Sequence, residues 1–544
     1  MSVIDLFLIG DSESFQAWSM GEVVFCSSNP AALSSMIQKH LLKTNADALL
    51  FWDASFPLPP KDLVEQLLSS TSEVWHAGLK LGLSGKPEII DYVSPTWMLN
   101  RDPDSSIEAT SWRLSLRACL IRSGVLRQLG GPRAEYDSLD VAGLDLGLRY
   151  IRQGAFVRHV PALIQEQQQV PDLKIPLSDE LLFIRYGFGR RWVRWAFLRA
   201  ALTRFARLGE LYKAWCKVSA QKVHQYPSFY RQHFLPENDS VTGKVSVLVP
   251  TLKRYPYLRV LLDQLRRQII PPFEVLVIDQ TPEDQRESGL QNEFSDLPLR
   301  WFFLDTPGQC SSRNFGLLQA QGDFILFVDD DDEIQPDLIE KHLETLARFQ
   351  TTITNGVAIE PAIGDLPKGF SFVRISNVFP TNNTLIRKDV LHKSGLFDLA
   401  YDHGQRADHD LGMRLYLQGE LMVLNPDVKV VHHHAPMGGL REHKARVNTY
   451  AASRTQLFKQ ELPSVSDLYL SKRYFSDRQV RERLWIDLIG TFSVKGSILK
   501  RFLKVLIAIL LLPKNIHLLR QRTKTAERML VIYPEIPQLQ QEDS

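Results

Sequence analysis

The sequence predicts an α/β protein with two like units in tandem, each a mostly parallel sheet flanked by helices, plus a helical linker and a helical C-terminal region. Two observations predict it. Apolar strands alternate with amphipathic helices through residues 241–439, the pattern of a largely parallel sheet covered on both faces. In addition, residues 120–154 align without a gap to 385–419 at a constant offset of 265, with 15 of 35 positions identical. A weaker match pairs Leu50–Ser55 with Leu326–Asp331: each is an apolar run closing on an acidic turn, then a proline and an amphipathic helix. Two copies of one unit are therefore expected, at roughly 1–165 and 243–435.

In the second copy, strands are predicted at Lys244–Thr251, Phe273–Asp279, Arg300–Leu304 and Asp323–Val328, with a helix at Tyr257–Gln268. The last strand runs straight into Asp329–Asp332. Ligands of such sheets bind beyond the carboxyl ends of the strands, where Asp279 and Asp329–Asp331 fall. Near the N-terminus, VIDLFLIG reads as a first strand, because Asp5 interrupts the apolar run and no basic residue precedes it. Domain boundaries are expected at 1–165, 166–240, 241–439 and 440–544, with residues 531–544 frayed.

Composition narrows the function. Hydrophobic residues are 44% and charged residues 23%, as in a soluble globular protein. The net charge of +2 gives no global attraction to nucleic acid. Cys26, Cys119, Cys216 and Cys310 have neither zinc-ligand nor redox spacing, which fits a reducing compartment. The longest apolar run, Val505–Leu512, is expected to stop at Pro513, so no membrane span is predicted and a cytoplasmic location follows. Phe183–Arg207 is rich in arginine and aromatic residues and has no acid; Lys500–Lys514 is cationic and apolar. Both suit peripheral contact with the inner face of a membrane. Packing against the two units is the equal alternative. No nucleic-acid motif accompanies the arginines.

Five motifs occur in order: Pro250-Thr251, Val277-Ile278-Asp279, Ser312-Arg313-Asn314-Phe315-Gly316, Phe327-Val328-Asp329-Asp330-Asp331 and Asp408-His409-Asp410-Leu411. They resemble the successive motifs of family 2 glycosyltransferases. The resemblance implies the GT-A nucleotide-diphospho-sugar fold and a Mn²⁺ or Mg²⁺ ion near Asp329 and Asp331. It implies Asp331 as direct ligand, Asp329 on the ribose or a metal-bound water, and His432 joining metal and diphosphate. Asp330 and Thr251 fall in the donor site, and Asp279 would hold the base or ribose. Arg313 would meet phosphate near a helix N-terminus. Asp408 would be the general base. Two positions depart from the family pattern: Gln280 follows Asp279, and Ala407 precedes Asp408.

These residue types suit the chemistry. A diphosphate leaving group needs its charge neutralised, which a hard cation on oxygen ligands does. An acceptor hydroxyl needs a base within reach of its proton. The expected function is an inverting, metal-dependent transfer from a nucleotide-sugar to a glycan or lipid-linked acceptor, in bacterial surface polysaccharide or glycolipid synthesis. A non-catalytic scaffold is the alternative. A nucleotidyltransferase would carry a Gly-rich basic loop, which Pro250–Arg254 lacks. The first copy has Ser55, Gly143 and Gln167 where the second has Asp331, Asp408 and His432, so it reads as non-catalytic. Asp145 with Arg149, and Asp410 with Arg414, are expected to be structural i,i+4 pairs.

Overall fold

The computed structural model describes residues 2–10, 18–164, 175–219, 221–231, 241–287, 289–361, 364, 366–435, 438–439 and 456–539. The first sheet contains β1 (Ile4–Ile9), β2 (Val23–Cys26), β3 (Ala48–Asp53), β4 (Val74–His76), β5 (Ala109–Thr110), β6 (Ala118–Arg122) and β7 (Val157–His159), ordered β2-β1-β3-β6-β4-β7-β5. The second contains β8 (Val245–Thr251), β9 (Glu274–Asp279), β10 (Leu299–Phe303), β11 (Phe324–Phe327), β12 (Asp332–Ile334), β13 (Ile353–Ile359), β14 (Arg374–Ile375), β15 (Thr384–Arg387) and β16 (Met422–His432). Its order is β10-β9-β8-β11-β15-β13-β16-β12, with β14 paired to β16.

Without β10 and β12, the second order repeats the first: β9-β8-β11-β15-β13-β16-β14 against β2-β1-β3-β6-β4-β7-β5. Each parallel pairing matches a parallel one and each antiparallel pairing an antiparallel one. The registers agree as well. Leu50 faces Leu120 where Leu326 faces Leu385, and Val74 faces Val157 where Ile353 faces Met422. Leu120 to Leu385 and Val157 to Met422 both keep the sequence offset of 265.

The sheets are mixed rather than mostly parallel. β6 and β15 run antiparallel to both neighbours. Among the described residues, the segments before them hold only 3₁₀ turns and the short strands β5 and β14, and without a crossover helix a returning strand need not be parallel.

The units meet through matched contacts. Gly154 follows the helix Leu139–Arg152 at φ +99° and lies against the Val373 carbonyl beside β14; an added Cβ would sit 2.8 Å from that oxygen. Gly419 follows the helix Ala407–Leu417 at φ +90° and lies closer still against the Glu108 carbonyl beside β5, where an added Cβ would sit 2.2 Å from the oxygen. Only glycine suits this conformation and approach. Phe156 and Phe349 pack across the same interface at 5.4 Å between ring centres.

The linker forms helices at Leu177–Phe188, Arg190–Leu202 and Leu208–Ser219. Phe183 is fully buried and stacks on Trp112, and Arg199 makes a bidentate pair with Glu482 at 2.8 and 2.7 Å. For this segment, packing rather than exposure is therefore the main role of the aromatic stripe. The C-terminal region adds Val465–Tyr474, Asp477–Gly490 and Ile498–Ile532. The last helix passes through Pro513 instead of stopping there. A proline removes one hydrogen bond, but the leucine, lysine and alanine turns around it are strong helix formers. This 35-residue helix is long and apolar enough to cross a membrane, and most of its apolar stretch is not buried against the protein. Lys504, Ala508, Asn515, Leu519 and Ala526 face the protein, while Leu499, Phe502, Leu506, Ile509 and Leu510 are exposed.

Candidate functional site

The parallel strands β8, β9 and β11 end side by side, and the turn after β11 projects four carboxylates. Apolar pairing drives β11 into the sheet (Ile325, Leu326 and Phe327 are buried), so the acids can only follow at its carboxyl end. β12 then pairs antiparallel with the end of β16 and brings His432 opposite Asp332.

Asp329, Asp331 and His432 each offer one ligand atom, all within 4.8 Å of one another. Asp331 is buried. Its Oδ2 accepts from Ala435 N at 2.7 Å, and its Oδ1 accepts no hydrogen bond, although Arg254 Nη1 lies 3.2 Å away. A buried carboxylate oxygen left without a hydrogen bond beside a second carboxylate and an imidazole fits a hard divalent cation. Asp329 Oδ1 accepts from Arg313 at 2.8 Å. Asp330 accepts from Thr251 Oγ1 at 2.8 Å and Arg254 Nη1 at 2.9 Å; it orders the turn. Burial pushes the Asp330 carboxyl up to about 6 despite Arg254, with Asp331 adding to the rise.

His432 Nδ1 lies 2.8 Å from Asp332 Oδ1. Burial disfavours the charged ring, but Asp332, Asp329 and Asp331 outweigh it and raise its pKa to about 9. A cation would have to displace that proton. His433 instead pairs with Glu333 at 2.9 Å, and His434 with Glu360 at 3.1 Å. His434 also stands edge-on to His432 with ring centres 4.2 Å apart.

A cavity of about 140 Å³ lies over this turn. Thr251, Arg254, Gln280, Arg313, the three acids Asp329–Asp331 and His432 are among its lining residues. Sequence reading assigns no role to Arg254, Gln309 or Asp332, and marks Gln280 only as a departure from the family pattern. Arg254 is within reach of Asp330 and Asp331, and only its place just after a strand-end threonine hints at that. Asp279 is not on the wall. It is fully buried and accepts from Tyr255 OH at 2.7 Å, Thr281 N at 2.9 Å and Trp301 Nε1 at 3.3 Å. Its neighbour Gln280 lines the cavity instead and accepts from Gly308 N at 2.6 Å. The helix Gln309–Gln319 does not present a free N-terminus to phosphate. Asp402 caps it, accepting from Cys310 N and Ser311 N at 2.8 Å, and Arg313 stands a turn further in. Asn314 exchanges two 2.8 Å hydrogen bonds with the Phe397 backbone, a structural clamp.

Asp408 lies at the start of the helix Ala407–Leu417, half-exposed and 2.9 Å from His409 Nδ1. His409 Nε2 in turn lies 3.0 Å from Arg406 Nη1. Burial alone would raise its carboxyl, but His409 and Arg406 hold it down at about 2, so it is ionised at neutral pH. Asp410 is buried and pairs with Arg414 at 2.9 Å as expected. The first unit differs from expectation: Asp145 pairs with Arg133 at 2.9 Å, and Arg149 donates to the Gly131 carbonyl at 2.5 Å. Arg133 is 265 residues before Asp398, an acid, so this cation has no counterpart in the second unit.

In the first unit, the matching positions carry a cation and close backbone instead of the acids. Arg117 bridges Asp53 at 2.7 Å and Asp140 at 3.1 Å, placing a guanidinium beside the acidic turn. A Cβ on Gly143 would lie 2.7 Å from the Leu114 carbonyl, so no larger side chain fits at the Asp408 counterpart. Gln167 lies outside the described residues.

Residues 246–392 match the profile of Glycosyl transferase family 2. The second unit belongs to this family. Among relatives, the chain is similar to a GalNAc(5)-diNAcBac-PP-undecaprenol beta-1,3-glucosyltransferase of Campylobacter jejuni, 30% identical over 24% of this chain and 42% of that protein. It is 38% identical over 18% of each chain to the poly(ribitol-phosphate) beta-N-acetylglucosaminyltransferase TarS of Staphylococcus aureus. The O-antigen biosynthesis protein RfbC of Myxococcus xanthus matches 58% of this chain at 24% identity, over 25% of its own length. The chain thus spans less than half the length of these relatives. Among solved structures, S. aureus TarS 1–349 with UDP-GlcNAc aligns with 53% of this chain and 89% of its own, at 19% identity and a TM-score of 0.35. A mannosyltransferase of Pyrobaculum calidifontis with GDP-Man and Mn²⁺ aligns with 56% of this chain and 92% of its own, at 16% identity and a TM-score of 0.35.

Proposed function

We propose that the second unit catalyses inverting, metal-dependent glycosyl transfer from a nucleotide-sugar to an acceptor hydroxyl. The carrying observation is the triad Asp329, Asp331 and His432, within 4.8 Å, above the ends of parallel strands. Asp329, Asp331 and His432 would hold Mn²⁺ or Mg²⁺, which when bound supplies charge neutralisation to a departing diphosphate. Arg254 and Arg313, which ion-pair with these acids, add positive charge on the same wall. Thr251 and Asp330 keep the turn in shape. Asp408 accepts the proton of the attacking hydroxyl, and the single displacement inverts the anomeric carbon. An acid held at about 2 is a weak base, so it acts on a proton already leaving in the transition state.

The first unit is non-catalytic in this reading, because Arg117 stands at its acidic turn and the 114–116 backbone closes on Gly143. The role is placed in bacterial surface polysaccharide or glycolipid synthesis, in keeping with the names of the relatives. The exposed apolar face of Ile498–Ile532, with Lys500, Arg501 and Lys514 beside it, would rest on the cytoplasmic membrane surface. The scaffold alternative gives no account of why Asp329, Asp331 and His432 converge within 4.8 Å.

The test is donor hydrolysis by the full chain across a panel of nucleotide-sugars with Mn²⁺ or Mg²⁺, beside Asp331→Ala and Asp408→Asn. Metal-dependent release of nucleoside diphosphate, lost in Asp331→Ala, supports the reading. No turnover and no metal-dependent donor binding would move the assignment to a scaffold.

A further inference from the structure

A second and larger cavity, about 1080 Å³, lies where the first unit, the linker helices, the catalytic unit and the C-terminal helices meet. Trp97, Trp192 and Trp195 contribute to its wall, each half-buried. The Trp195 indole N–H is buried and has no hydrogen-bond partner. Indole faces stack on the apolar faces of sugar rings, and an unsatisfied N–H seeks an acceptor.

The wall is also cationic: six Arg or Lys residues against three acids. Arg406 is neutralised by Asp467 at 2.6 Å and Arg483 by Asp487 at 2.6 Å. Lys504 donates to the carbonyls of Gln456, Leu457 and Lys459, and Arg522 to those of Leu462 and Pro463. Among the described residues, the side chains of Arg191 and Lys459 form no ion pair. These two cations stand ready for an anion of the ligand.

Two chains of hydrogen bonds link the wall of this cavity to residues of the catalytic site. Gln309 lines the small cavity and donates to the carbonyls of Tyr401, at 2.7 Å, and Gly404, which lines the large one. Arg406 lines the large cavity and reaches Asp408 through His409.

We propose that this junction cavity is the acceptor site and takes a saccharide bearing phosphate. The inference rests on the glycosyl-transfer reading and deepens it: the sugar stacks on the tryptophans, the anion meets Arg191 and Lys459, and the reacting hydroxyl points toward Asp408. The non-catalytic unit thereby supplies part of the acceptor wall, through Val93–Trp97.

The test is a tryptophan-fluorescence titration of the full chain with three probes: glucose 1-phosphate, maltose, and glucose on a prenyl diphosphate in detergent. Saturable binding of a phosphorylated probe, stronger than that of maltose, is expected. The double variant Arg191→Glu with Lys459→Glu should weaken it by about tenfold or more, a charge-assisted contact's loss. Both positions are surface cations, and nucleotide binding with Mn²⁺ should remain as in the unsubstituted chain. Binding of the prenyl probe alone would identify a lipid-borne headgroup; equal binding of glucose 1-phosphate would identify the free sugar phosphate. Absence of saturable binding by either phosphorylated probe, or binding unchanged in the double variant, would overturn the proposal. Failure of the underlying reading shows separately: saturable probe binding in a chain that neither turns over nor binds any nucleotide-sugar with Mn²⁺ or Mg²⁺ would keep the saccharide-phosphate site and overturn the glycosyl-transfer reading.

Discussion

Asp331→Asn separates charge from shape at the metal triad. The asparagine carbonyl can keep the 2.7 Å bond from Ala435 N, while its NH₂ group replaces the carboxylate oxygen that accepts no hydrogen bond. Arg254 loses one carboxylate at 3.2 Å but keeps Asp330 at 2.9 Å. Buried Asp330 loses a like-charged neighbour. The stability of the metal-free protein should therefore change by no more than ~1 kcal/mol. Metal-linked stability should behave differently. At a Mn²⁺ concentration 100 times its dissociation constant, binding adds about 2.7 kcal/mol to the native state. Removing one of two carboxylate ligands weakens binding by about 100-fold or more, leaving about 0.4 kcal/mol at the same concentration. The assay is the urea-unfolding midpoint with and without Mn²⁺, in the presence of a nucleoside diphosphate. Equal stabilisation of wild type and variant would refute the assignment of Asp331 as a ligand.

Three further outcomes follow from the packing. Glu180 is 7% exposed, and burial raises its carboxyl from 4.5 to about 7, so the fold favours its protonated form. That contribution is present below pH 4.5 and is lost between pH 4.5 and 7, by roughly 3 kcal/mol. Glu180→Gln should unfold later than wild type in urea at pH 8, with the gap closing toward pH 4.5; a pH-independent gap would contradict this. Arg199→Met leaves the Glu482 carboxylate buried without its bidentate partner and should cost about 3–5 kcal/mol, with Arg199→Met/Glu482→Leu recovering most of it in the same urea assay. Gly143→Asp restores the acid that the first unit lacks, but its Cβ meets the Leu114 carbonyl at 2.7 Å. It should destabilise by ~1–3 kcal/mol and add no donor hydrolysis, and gained activity would contradict a non-catalytic first unit.

The parts of the fold governed by local pattern were legible in the sequence. Strands β1, β3 and β8–β11, the acidic turn, the helix after it and the 265-residue offset all follow from residue spacing, and the pairings of Leu120 and Val157 repeat that offset. Strand direction at β6 and β15 was not legible, because direction depends on how irregular connections return. Within the site, the types of Asp331 and His432 announced themselves, whereas the positions of Asp279 and Arg313 depended on neighbours far away in sequence. Asp279 is hidden by Tyr255 and Trp301, and the helix end before Arg313 is taken by Asp402. Arg149 shows the limit of spacing arguments: an i,i+4 acid was present, but Arg133 reached it first.

The reciprocal contacts of Gly154 and Gly419 have the logic of an isologous dimer contained in one chain. The helix end of each unit meets the edge of the other, so the same self-complementary patch is used twice and is closed. Neither edge strand is left to template a second molecule at that place, and the joint cannot propagate into a filament. The closure also ties the units' fates together, since a side chain at either glycine would pry open an interface whose other half lies in the opposite unit.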